Sequence, residues 1–371
     1  MKKKYIIFSI VTLVLLVSFL SYSKYLKTTN VCKEDVKPTK ITKGISMNLE
    51  QTAGAGDYKQ VTQSNWPTEG YKFNEELSKC ENGSEISWDD TKKAVIVSGN
   101  LADKCYVYFD IYQPTLAEYI KSQYTGTQGD NALYYHNSTL TNGAGDNSYR
   151  YAGASDSVNN YICLGSDEAT CPDANLFRII GVFGDQTKVI RAKSIGNQKW
   201  DTNNSNTWSS SSLNTYLNGE YLTSLGTIAE KIATTTWKVG GRSSTYLYDV
   251  PTTAYQYEVG SSASTTTYDA KIGLMYVSDY GFAADQSGWT TKLDSYGSNS
   301  SKNWLYLGSF EWTISRNSDL ASSAFFVYST GYVNYYYVYI NSFAVRPVFN
   351  LESSVKYVSG SGSMSDPVRV N

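Results

Sequence analysis

Side chains able to do chemistry are sparse in this chain. His136 is the one histidine in 371 residues, so a Ser–His–Asp or Cys–His arrangement has a single available base. It falls in "LYYHNST", a polar tract read as a solvated loop, and no histidine-based catalysis is expected. The five cysteines, Cys32, Cys80, Cys105, Cys163 and Cys171, contain no C-x-x-C pair, which argues against zinc. "AGAGD" (Ala53 to Asp57) and "NGAGD" (Asn142 to Asp146) lack the Lys-Ser/Thr of a phosphate loop and read as turns. "DTNNSN" sets Asp201, Asn203 and Ser205 at alternate positions but lacks the Gly and distant Glu of a calcium loop; it reads as a polar loop leading into a helix cap. Asp249, Asp269, Asp279, Asp285 and Glu311 are the carboxylates from which a glycoside-cutting pair could be drawn, though spacing alone brings no two together. No catalytic residue, metal or cofactor is assigned.

The unusual chemistry lies in "TGYVNYYYVYINSFAVRPV", residues 330–348. Tyr332, Tyr335, Tyr336, Tyr337 and Tyr339 crowd this stretch, Tyr328 stands just before it, and Asn334 and Asn341 lie within it. A strand sends successive side chains to opposite faces, so three consecutive tyrosines cannot all enter one core. Tyr supplies a large contact area with few rotors to freeze, and Asn adapts its hydrogen bonds, so these eight residues are the candidate ligand-binding set. Packing of aromatics on a half-buried strand is the competing explanation. Arg346, inside an apolar strand, is expected to pair with an acid or with carbonyls.

The elements that must hold this stretch are mostly β-like. Tyr numbers 33 and charged residues make up 18%, a balance that favours sheets over helical bundles. "KAVIVSG" and "KCYVYFDIY" read as strands of a small β domain at 44–112. "PTLAEYIKSQY" reads as a short helix that opens a linker, 113–147. Leu176 to Phe183 and Thr187 to Ile195 flank "GDQ" as a hairpin, and "WSSSSLNTYLNG" reads as a Ser-capped helix stopped at Asn218-Gly219. "TIAEKIA" gives a second short helix, and aromatic strands with long polar loops follow. At the start, "MKKK" (1–4) precedes an uncharged run from Tyr5 to Tyr22, just long enough to span a bilayer. The flanking lysines orient it as a single-pass signal-anchor with a cytoplasmic N-terminus and an extracellular body; a cleaved signal peptide is the rival. A lysine-rich spacer, 23–43, follows, and the acidic remainder argues against nucleic acid. In an oxidising compartment Cys80–Cys105 and Cys163–Cys171, each bracketing a turn-rich segment, are expected to bridge. Cys32 is left over, free or available for self-association.

The strings "NLFRIIGVF", "WSSSSLNTYLNG", "KIGLMYVSDYG", "EWTIS" and "GYVNYYYVYINSFAVRPV" together resemble the C-type-lectin-like fold over about residues 148–371. They are most similar to its bacterial branch, shared with formylglycine-generating enzymes and the variable proteins of diversity-generating retroelements. The resemblance implies an α+β class: a head with a small twisted antiparallel sheet, two short helices and long loops, here preceded by a disulfide-pinned β domain and a transmembrane helix. It also implies that the stretch before the last apolar strand is the binding face. The family's oxidase cysteines are missing after Cys171, and the calcium-dependent sugar motifs E-P-N, Q-P-D and W-N-D do not occur. The reading is therefore a cell-surface, adhesion-type binding protein at the cell membrane, recognising protein or glycan on another surface. A self-associating, pilus-like structural component and a glycan-active enzyme with an acidic cleft are the alternatives.

Overall fold

Runs rich in Val, Ile, Tyr and Phe, cut short by Gly, Asn and Ser, leave little room for long helices. The computed structural model describes residues 34–35, 44–62, 66–67, 70–100, 103–245 and 249–371. They fall in two compact units, Met1–Gln113 and Pro114–Asn371.

The first unit contains β1 (Glu34–Asp35), β2 (Ile45–Glu50), β3 (Tyr58–Val61), β4 (Tyr71–Phe73), β5 (Lys79–Cys80), β6 (Glu85–Asp89), β7 (Ala94–Ser98) and β8 (Cys105–Ile111). One sheet runs β3-β2-β8-β4 with β5 also on β8, and a second runs β1-β7-β6. Alternation along β8 buries Cys105, Val107 and Phe109 against Met47, Leu49, Val95 and Val97. The register sets Cys80 opposite Cys105, and the two form a disulfide.

In the second unit the helix Leu116–Ser122 starts with a capping box, Thr115 and Glu118 bonding each other's backbone N–H. The strands are β9 (Leu133–His136), β10 (Ser148–Tyr151), β11 (Tyr161–Cys163), β12 (Leu176–Phe183), β13 (Gln186–Arg191), β14 (Asn197–Gln198), β15 (Thr235–Lys238), β16 (Thr267–Ala270), β17 (Ile272–Gly273), β18 (Glu311–Arg316), β19 (Ser323–Val327), β20 (Val333–Tyr337), β21 (Phe343–Ala344), β22 (Val348–Leu351), β23 (Tyr357–Ser359) and β24 (Val368–Val370). The largest sheet runs β17-β22-β13-β12-β11-β24-β23, with β10 on β12 and β9 on β10. A second runs β14-β21-β18-β19-β20, and β15 pairs β16. In the large sheet β12 and β13 form the expected hairpin, interrupted by a bulge between Ile179 and Gly181. A Cβ at Gly181 would stand 2.1 Å from the Tyr149 carbonyl, so only glycine lets β10 approach β12. Cys163–Cys171 closes the loop after β11. Near the end of the unit β24 pairs in parallel with β11, and Tyr357 stacks on Tyr119 at 3.6 Å.

The α+β class with a C-type-lectin-like head is corrected by this architecture. The unit is mostly β with few helices, and Pro251–Glu258, its longest α-helix among the described residues, has 8 residues. Two elements show why. "KIGLMYVSDYGFA", which falls among the expected aromatic strands, divides into β17 and the helix Val277–Phe282, where Asp279 accepts from Tyr276 N. Asn218-Gly219 does not stop its helix: Leu217–Tyr221 continues as a π-turn. The Asn218 side chain instead exchanges two bonds with the Ile272 backbone. Residues 125–147, read as linker, carry β9, every residue of which pairs with β10.

The transmembrane signal-anchor and the single-pass cell-membrane location are corrected as well. No helix among the described residues is long and apolar enough to cross a membrane. The run Tyr5–Tyr22 on which they rested, the rest of 1–33 and Cys32 lie outside the described residues.

The Cys163–Cys171 bridge closes a short loop, so its contribution lies at the low end of the disulfide range. Replacing both cysteines with alanine is expected to cost about 2 kcal/mol. Urea midpoints of the two proteins measure it, and an unchanged midpoint would show the loop rigid without its bridge.

Candidate functional site

The tyrosine stretch occupies β20 and the turns on either side of it. β20 is the last strand of its sheet and pairs antiparallel with β19, all five of whose residues are buried. The turn before it is fixed by Tyr328 N bonding Tyr332 O at 2.7 Å and by Gly331, whose φ of +96° favours glycine. A Cβ there would also stand 2.8 Å from Ser300 Cβ. Tyr280, fully buried, donates its hydroxyl to the Gly331 carbonyl at 2.7 Å. The turn after β20 is held by Val338: its N–H reaches Ser322 O, and its carbonyl accepts from Trp200 N and Asp201 N.

Between these anchors the side chains separate. Val333 and Val338 are buried; Tyr336 is 40% and Tyr337 46% exposed. Tyr335 turns inward onto Phe325, edge to face at 6.0 Å. Tyr337 touches both Tyr336 and half-buried Tyr339 through edge contacts of 5.8 and 6.0 Å, and Ile340 beside them is 46% exposed. Tyr332 stacks on Tyr328 at 4.5 Å, and Tyr328 meets Phe310 edge to face at 4.5 Å. Asn334 accepts the N–H of Tyr335.

An open cavity of about 440 Å³ adjoins this face, lined by Tyr328, Tyr336 and Asn341 from the candidate set and by Phe310, Phe326 and Phe343. Its aromatic floor is continuous: Phe343 lies 5.2 Å from Phe310, 4.7 Å from Phe326 and 4.4 Å from Trp312. Of the eight candidates, three therefore line one cavity, and Tyr332 abuts it through Tyr328. Tyr337 and Tyr339 continue the exposed face, and Tyr335 and Asn334 support the strand. The floor was missed in the sequence because Phe310 and Phe326 come from chain segments that only the sheet order unites; "LGSFEW" and "SAFFV" carried no sign beyond aromatic content.

The other chemistry weighed in the sequence is structural here. Arg346 and Glu311 form a buried two-point ion pair at 2.7 and 2.9 Å, and Arg346 also donates to Leu305 O. Glu311, one of the five carboxylates weighed for a glycoside-cutting pair, is 1% exposed; burial pushes its carboxyl up while Arg346 opposes the shift. Asp201 takes its bonds from Asn203 N, Ser205 N and Ser212 N, so "DTNNSN" is a backbone-satisfied loop. His136 is not solvated. It is fully buried between Phe282 and Trp289, and its Nδ1 accepts from Ala144 N at 3.0 Å. Asp285 accepts from Ser287, and Asp269 accepts from Thr236. Among the described residues no group of three or more His, Cys, Asp or Glu is placed to hold a metal.

No curated protein and no solved structure matches the chain. A family profile described as a domain of unknown function, DUF6273, matches residues 184–353, a span that takes in β20 and the whole aromatic cavity.

Proposed function

We propose that the second unit is a recognition head that binds a protein partner through Tyr336, Tyr337, Tyr339 and the adjoining aromatic cavity. The observation that carries this is exposed Tyr336 lining a groove with Phe310 and Phe343, with exposed Tyr337 in edge contact with it. A core strand has no use for two such rings in solvent, whereas interfaces are built on Tyr anchors around an aromatic centre. The cavity is wide enough to seat an anchoring side chain, and Asn341 at its rim offers an amide. Screening the protein against arrayed proteins and glycans is expected to return a protein ligand. Single alanine replacements of Tyr336 and Tyr337 are each expected to cost about 2 kcal/mol of binding. Their melting temperatures should stay close to the parent's, because exposed rings contribute little to a core. Loss of several kcal/mol of stability in both variants would end the binding-face reading.

A second reading draws on the place of β20 at the end of its sheet. An end strand can accept another strand, so copies of the head can add to one another. Concentration-dependent assembly in light scattering would favour it; a constant mass would favour the partner.

A further inference from the structure

Outside the sheet that carries β20, Asp146, Arg150 of β10, Asp279 and Lys188 of β13 form a chain of alternating charges. Arg150 Nη2 lies 2.6 Å from Asp146, Arg150 Nη1 lies 3.6 Å from Asp279, and Lys188 Nζ lies 2.5 Å from the other oxygen of Asp279. Arg150, Lys188 and Asp279 are all buried. Aromatic rings enclose them. The Lys188 ammonium sits 4.9 Å from the Tyr276 ring and 5.3 Å from Phe183, and the Arg150 guanidinium 5.2 Å from Tyr255.

A cavity of about 170 Å³ opens onto this cluster. Ser278, 1% exposed, and Asn350, 9% exposed, both line it. Ser278 Oγ and Asn350 Oδ1 have no hydrogen-bond partner among the described residues. The Asn350 amide nitrogen is already committed to Thr235. Buried polar atoms without partners cost stability, and their meeting in one cavity points to a group that satisfies them. Thr236, exposed, stands at the mouth.

These features select a ligand class. The four charges sum to zero and already pair with one another, so a lone anion or cation would have to break a buried ion pair to gain one. A wholly apolar ligand would leave Ser278, Asn350 and the remaining Lys188 N–H groups unpaired. A molecule with an apolar C–H face and a rim of neutral hydroxyls does neither: the face lies on the aromatic walls, and each hydroxyl both donates and accepts. The cavity falls below the range of drug-sized sites and takes a single ring. We infer that this cavity is a binding site for a neutral monosaccharide, separate from the tyrosine face.

Saturation-transfer NMR and calorimetry on the full chain test this with D-glucose, D-galactose, D-mannose and N-acetyl-D-glucosamine, beside glycine as a zwitterion and inorganic phosphate as an anion. At least one neutral sugar is expected to bind saturably, with magnetisation reaching its ring C–H groups. Thr236→Trp closes the mouth from an exposed strand position that tolerates an aromatic. It is expected to weaken the sugar by at least about tenfold with the melting temperature unchanged. Tyr336→Ala is expected to leave sugar binding as it was, which separates this site from the recognition face. The inference is overturned if no sugar binds, if glycine or phosphate binds in preference to every sugar, or if Thr236→Trp binds as the parent does.

Discussion

Replacing Arg346 with methionine is expected to destabilise the second unit by roughly 3–5 kcal/mol, the usual cost of stranding one partner of a buried ion pair. Glu311 loses both guanidinium bonds, and the Leu305 carbonyl loses its donor. Neither side chain can turn to water, since Arg346 is 3% and Glu311 1% exposed. The abandoned carboxyl must then either stay charged in an apolar setting or take up a proton. Pairing Arg346→Met with Glu311→Leu removes the stranded charge and should recover most of the loss, as volume-matched apolar replacements of buried pairs do. Chemical denaturation of the parent, both single variants and the double variant gives the coupling directly. A double variant no better than Arg346→Met alone would show that the Leu305 bond and the packing of the arginine stem carry the stability instead.

Acidification below pH 6.5 is expected to weaken the fold through His136, the chain's one histidine. Burial holds its pKa well below the ordinary histidine value of about 6.5, and the nearby Arg150 charge adds to the effect. The neutral ring is also the bonding form, because Nδ1 must accept from Ala144 N. The unfolded chain therefore takes up a proton that the folded one refuses. Stability is fully present above pH 6.5 and falls as pH drops below it, by up to about 1.4 kcal/mol for each pH unit. Two buried acids act in the opposite sense. Glu258 and Glu311 have folded pKa values raised by burial, so they gain stability as pH falls toward their ordinary range. The comparison that isolates the histidine is His136→Asn, whose side-chain oxygen can still accept from Ala144. It should start less stable at pH 7, because the smaller side chain leaves space beside Phe282 and Trp289. Its stability should then change less on acidification than the parent's. Parallel pH curves for the two proteins would remove His136 as the cause.

Local signals in the sequence survive well. The two disulfides, the β12–β13 hairpin, the Ser211 cap and the acid partner of Arg346 are each set by short-range spacing or by one chemical need, and all are present. That Tyr335, Tyr336 and Tyr337 do not all enter the core follows from alternation along a strand. What was not legible depends on distant segments. His136 looks like a loop residue in "LYYHNST" until β10, Phe282 and Trp289 close around it. Lys188 and Asp279 are separated by 91 residues, so nothing local announces their pair. The class itself was misread because "VSDYGF" and "LNGEY" make isolated helical turns whose lengths are set by tertiary contacts rather than by their own pattern.

The parallel pairing of β24 with β11 has a kinetic consequence. Arg369 beside that ladder bonds the Ser166 carbonyl 203 residues earlier, and Tyr119 donates to Gly360 across 241 residues. Contacts of such sequence separation form only after a large loop has closed, and folds that depend on them are slow. The large sheet therefore ends in an unpaired edge at β11, and the helix Leu116–Ser122 lacks the Tyr357 stack on Tyr119, until residues 357–370 arrive. During synthesis the strand β11 must wait with an edge exposed, a state prone to pairing with other chains. The recognition strand β20, which belongs to the other sheet, is made before this closure.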